Sequence, residues 1–280
     1  LTVTAAVLLV AALYAGLTLF GRLSSPKAEI KKALDLQMEI FQNDMESLWH
    51  NVSVMSLLLS EDMIALLEPI LARGGEVIGL PIAAPLSSSG NVMRVAAESL
   101  GAADRVHVVD TKTLSYGIGI MAMKASEMAD AGASVDEIIA TLESMAERVH
   151  VSFVVDTLTY LYRGGRCSGV AALAGNVLRI HPRIAVTDDG SLAPDHKYRG
   201  KLHHVIDAYM DDIMPHLETA DPEYVAIVYS AGLDQKILDG VRQRVEEMHR
   251  FKKIIVGQAG GVITSHCGPG TFGMGYFDAK

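Results

Sequence analysis

The residues able to do chemistry fall at three glycine- or serine-rich points of this 280-residue sequence. The first is Val256 to Phe277, V-G-Q-A-G-G-V-I-T-S-H-C-G-P-G-T-F-G-M-G-Y-F, in which seven glycines accompany His266. Glycine this dense supplies positive φ or close backbone approach. Backbone N–H groups around a histidine suit an anion such as a carboxylate or phosphate. The plainer reading is a glycine-rich hairpin closing a sheet, with His266 a satisfied core residue. The second point is Gly164-Gly165-Arg166. The two glycines end a short helix capped by Asp156 or Thr157 and aim Arg166 from a turn. Its guanidinium can then clamp a carboxylate or phosphate in bidentate fashion; the alternative is a structural Asp156–Arg166 pair. The third is Ile82 to Asn91, I-A-A-P-L-S-S-S-G-N. Ser87, Ser88 and Ser89 stand between a strand and a helix N-terminus, an arrangement that binds anions, or an ordinary βα loop.

Other chemistry finds no support. His203 and His204 are adjacent and point to different faces of a helix, so they make no metal pair. Cys167 and Cys267 form no CxxC motif and no disulfide framework, which fits a reducing compartment. No nucleophile–base–orienter set and no Walker motif can be assembled. A formal net charge of −9 with no basic tract argues against nucleic acid as a partner.

The elements that must position these points alternate between strand and helix. Glu76 to Leu80 reads as a short buried strand, Val92 to Leu100 as a helix and Val106 to Val109 as a strand ending in Asp110. Two helices come next, over Ile118 to Asp130 and Val135 to Val149, the second opened by a Ser134–Glu137 capping box. Val170 to Leu178 is a small-residue helix, Ile180 to Val186 a strand, and Asp189-Gly190 a hairpin turn. Lys201 to Leu217 is helical, Tyr224 to Tyr229 a strand, Asp234 to Arg250 a helix and Lys253 to Val256 a strand. The pattern is α/β, with a first lobe over 61–155 and a mixed second lobe over 156–280 that ends in a hairpin.

The N-terminal region has a different character. Residues 1–23 are apolar apart from Arg22, long enough for a transmembrane helix. Arg22, Lys27, Lys31 and Lys32 flank it and place the chain beyond Leu23 in the cytoplasm. Residues 24–60 carry apolar residues at steps of three and four, an amphipathic helix over Pro26 to Leu59. Ser60-Glu61-Asp62 then reads as the N-cap of a separate helix running to Arg73.

Four segments resemble one family. S-H-C-G-P-G-T-F-G-M-G-Y-F is similar to the C-terminal signature of the DegV family of bacterial fatty-acid-binding proteins. F-V-V-D-T-L-T-Y-L-Y-R-G-G-R-C, from Phe153, resembles its F-x-V-D-T-L-x-Y-L-x-x-G-G-R-I, with Cys167 in place of the final apolar residue. The stretch from Asp110 to Gly119 resembles V-x-D-S…S-x-G-x-G. The serine loop resembles I-S-S-x-L-S-G-T: Ile82, Leu86 and Ser87 match, while Ala83, Ala84, Ser88 and Ser89 depart.

The resemblance covers about 61–280 and implies a two-lobed DegV-like fold that binds a long-chain fatty acid. It implies a carrier that is no enzyme, has no cofactor and presents its ligand's carboxylate to a partner fatty acid kinase. Carried over by position, Ser87 would hold the carboxylate, with Ser88 and Ser89 beside it. Arg166 and His266 would neutralise charge and face the kinase. The family's opening Asp-Ser strand and its Thr-Ser-x-Pro segment have no counterpart here, so an incomplete N-terminal lobe is expected. Two other readings stay open: an enzyme using His266 in phosphoryl or acyl transfer, and a membrane-anchored interaction or sensor module that has lost lipid binding.

Overall fold

A computed structural model describes residues 52–166 and 180–279, with side chains from residue 61 onward. The candidate span 1–23, most of the amphipathic segment 24–60, Cys167 and the helix expected over 170–178 lie outside the described residues. No helix among the described residues is long and apolar enough to cross a membrane.

The first described element corrects the boundary expected at Ser60. Helix α1 (Val52–Leu71) runs through that position without interruption. A serine followed by two acidic residues is compatible with a helix interior as well as with a cap. Packing decides here, because Met63, Leu67 and Leu71, at four-residue steps, are buried against helix α2 (Ser89–Ser99). Strands β1 (Val77–Gly79) and β2 (Val106–Val108) pair in parallel, with Val77 opposite Val106. Among the described residues they form a two-stranded sheet.

Helices α3 (Tyr116–Asp130) and α4 (Val135–Ala146) come after β2. The capping box holds: Ser134 accepts from the Glu137 N–H at 3.3 Å, and Glu137 accepts from the Ser134 N–H at 2.8 Å.

The rest of the described chain builds a six-stranded sheet. Its strands are β3 (Val149–Val154), β4 (Ile180–Val186), β5 (Leu192–Arg199), β6 (Tyr224–Tyr229), β7 (Lys253–Gln258) and β8 (Phe272–Phe277). Their order is β5-β4-β3-β8-β6-β7, and only β6 and β7 run parallel. The lobe division drawn at 155/156 thus falls just after a strand of this sheet. Four helices complete the described chain: α5 (Thr159–Gly164), α6 (Leu202–Thr219), α7 (Gln235–Glu247) and α8 (Gly261–Cys267).

The glycine-rich end differs from the expected hairpin. Residues 261–267 turn into α8, and β8 inserts between β3 and β6, antiparallel to both. It is an inner strand of the sheet and is buried along its whole length. Period-2 geometry sends alternate residues to opposite faces. Phe272, Met274 and Tyr276 pack under α6 and α7, in a cluster with Tyr209 and Val241. Gly273, Gly275 and Phe277 face the side covered by α3 and α4.

Candidate functional site

The two glycines of β8 leave a trough in the α3 side of the sheet. Gly275 lies between Val151 of β3 and Ala226 of β6; Gly273 lies between Phe153 and Val228. Val151, Phe153 and Val228 line the trough, and Ser115 to Gly117 at the start of α3 line it too. The resulting slot is narrow, with a cavity of about 40 Å3. Its lining is almost wholly apolar; Ile263, Cys267 and Thr271 line it from the α8 side.

Two βα loops meet at one end of the slot. Because β1 and β2 are parallel, the loops after them leave from the same carboxyl edge, the edge where open α/β sheets bind ligands. They are tied together: Ala83 N–H donates to the Thr113 carbonyl at 2.9 Å, and Thr111 Oγ1 donates to the Pro81 carbonyl at 2.7 Å. The β4–β5 turn closes against both loops. A Cβ on Gly190, whose φ is +84°, would stand 2.7 Å from the Ala83 Cβ and 3.3 Å from the Lys112 Cα.

Within the first loop, the three serines fare differently. Ser87 is half-buried and its Oγ accepts from the Ser89 N–H at 3.2 Å, a local serine turn. Ser88 is exposed and makes no side-chain cap to α2. Ser89 is buried, and its hydroxyl has no hydrogen-bond partner among the described residues.

Arg166 and His266, 100 positions apart in sequence, come together at Gly164. Helix α5 ends on Gly165, left-handed at φ 64°. Arg166 then folds back, and its guanidinium donates to the Gly164 carbonyl at 2.7 Å. His266 Nδ1 sits over Gly164 so closely that a Cβ there would lie 2.3 Å from it. That nitrogen is buried and has no hydrogen-bond partner among the described residues. Burial, joined by the charge of Arg166, pushes the imidazole's pKa below its ordinary value, so the neutral form is favoured. Asp156 lies 3.8 Å from His181. Near the start of α5 it is Thr157 that accepts, from the Thr159 N–H at 3.3 Å.

The two groups share one apolar cluster. Leu86 and Leu114 of the βα loops pack with Phe153, Leu161 and Cys267. The loop after Cys267 is locked by Ser230, which donates to the Gly268 carbonyl at 2.7 Å and accepts from the Thr271 N–H at 2.9 Å.

Reading the residues for charge and reactivity missed Thr113 and Ser115. Both are buried, and neither hydroxyl has a hydrogen-bond partner among the described residues. Ser115 lines the slot. The signal that could have found it is S-Y-G-I-G, a serine at a helix start with glycines after it that let the helix approach its neighbours. Gly117 illustrates the closeness: a Cβ there would stand 2.4 Å from Thr113 Oγ1. No group of three or more His, Cys, Asp or Glu side chains suited to a metal occurs among the described residues.

Comparison with known proteins agrees with this architecture. A family model described as "Uncharacterised protein, DegV family" matches residues 28–279. The match begins well ahead of residue 61 and so takes in most of the segment set apart as an amphipathic helix. A DegV domain-containing protein of Deinococcus radiodurans is 32% identical over 204 residues, 73% of this chain and 70% of that protein. Among solved structures, a DegV family protein from Thermus thermophilus, described for its fatty acid binding, superposes with a TM-score of 0.69 at 28% identity. That likeness covers 79% of this chain and 77% of the other. The Streptococcus pneumoniae Fatty Acid Kinase (Fak) B3 protein, loaded with linoleic acid, shares the fold with a TM-score of 0.67 at 19% identity. It covers 79% of this chain and 76% of that one.

Proposed function

This chain belongs to the DegV family, and from that premise we propose that it binds a long-chain fatty acid and presents the carboxylate to a fatty acid kinase. The observation that carries the reading is the slot along β8. A small apolar slot lined by Val151, Phe153 and Val228 offers the surface an acyl chain needs, and the layer over it must move to admit one. Met121 and Met145 of the covering layer are unbranched and can repack around a chain that enters. The Thermus relative, described for fatty acid binding, supports the same ligand class.

A carboxylate beside apolar surface must be hydrogen-bonded or paired. Ser87, Ser88 and Ser89 of the first loop, with Arg166 and His266, are the groups we assign to it. His266 Nδ1 and Ser89 Oγ are buried without partners among the described residues, so each has capacity to spare. Arg166 brings the positive charge. Presentation to a kinase rests on the resemblance of the chain's motifs to those of the family. The chain itself is a carrier, in keeping with its family, and its ligand takes the place of a cofactor.

Native mass spectrometry of the purified chain tests the reading. A bound mass matching a fatty acid is expected, either as isolated or after incubation with palmitate or oleate. Protein that stays empty under both conditions overturns it.

A further inference from the structure

We propose that Ser115, with Thr113 behind it, is a direct ligand of the fatty acid's carboxylate at the amino end of α3. The inference rests on the fatty-acid reading above and assigns a head-group residue to it. Ser115 has φ 52° and ψ −125°, a region that residues other than glycine rarely enter and that structures retain at functional sites. A serine before a helix ordinarily has extended backbone and caps an N–H of the first turn. Ser115 does neither, since its side chain makes no capping hydrogen bond. Ser115 lines the slot as a residue, and its hydroxyl is buried beside it, unpartnered among the described residues. Thr113 adds a second unpartnered hydroxyl at 0% exposure, next to the first turn of α3 at Gly117. Hydroxyl donors at the positive end of a 15-residue helix fit a carboxylate, which only accepts.

The test compares oleate with oleyl alcohol, which has the same chain and no charge, in wild type, Ser115→Ala and Ser115→Gly. Both variants should bind oleate about 10- to 100-fold more weakly, the worth of a hydrogen bond to a charged group, and bind oleyl alcohol as before. Ser115→Gly should also melt higher without ligand, because glycine accepts φ 52° without strain. Unchanged oleate affinity in both variants overturns the proposal and leaves the fatty-acid reading standing. An equal loss for both ligands marks Ser115 as structural and overturns it too. Wild type that binds neither ligand removes the reading and the proposal together.

Discussion

The two faces of the six-stranded sheet are made by the same strands and differ in how completely they are filled. Under α6 and α7, every second residue of β8 is large: Phe272, Met274 and Tyr276. The Tyr209 hydroxyl, buried at their centre, is satisfied. Tyr209 donates to the Ser152 carbonyl at 2.9 Å and accepts from the Met274 N–H at 3.1 Å, tying β3 to β8. Its burial holds the phenol's pKa well above the ordinary value, so it stays a neutral donor. Under α3 the intervening residues are Gly273 and Gly275, a small cavity of about 40 Å3 lies beside them, and the nearby hydroxyls of Thr113 and Ser115 have no partners among the described residues. The first face is closely packed, and the second keeps a small apolar cavity.

Substitutions on the two faces should therefore separate stability from binding. The largest effect belongs to the filled face. Tyr209→Ala removes a wholly buried ring and leaves the Met274 N–H unsatisfied. It should cost about 3–5 kcal/mol of folding stability, as large-to-small core changes do, with the fatty-acid affinity of the folded fraction unchanged. Chemical denaturation and then ligand titration check both parts, and a mild stability loss would break the contrast. The smaller effect belongs to the open face and has the opposite sign. At Gly275 an added Cβ would meet Val151 Cγ2 at 3.5 Å and Ala226 Cβ at 3.6 Å, ordinary contacts. Gly275→Ala should raise stability by about 0.4–1 kcal/mol by restricting the unfolded chain, while fatty-acid affinity falls because the trough narrows. Gly273 could not make this point. A Cβ there would lie 2.7 Å from the Ser152 carbonyl oxygen and from Phe153 Cβ, so backbone would have to move.

Local signals were readable where the physics is local. The Ser134–Glu137 capping box closes within one turn, and both of its hydrogen bonds are present. Asp189-Gly190 makes the β4–β5 turn, with Gly190 at φ 84°. Gly164-Gly165 end α5, and Gly165 takes the left-handed conformation that only glycine adopts cheaply. The boundary at Ser60 misled because Ser-Glu-Asp is compatible with a helix start, and whether a helix continues through it depends on what packs against it.

Sequence by itself determined the α/β pattern and the family. It also singled out Ser87, Arg166 and His266 as candidates to face an anion. What it could not contain is which strand lies beside which. The segment Phe272–Phe277 reads equally well as an edge hairpin or as an inner strand. Only its insertion between β3 and β6 turns a run of alternating glycines into a trough with walls. The meeting of Arg166 and His266 over Gly164, and a Ser115 hydroxyl without a partner among the described residues, depend on the same long-range arrangement. A cap or a turn is settled by neighbours along the chain, whereas a cavity exists only between elements distant in sequence, so tertiary packing alone could decide where this one opens.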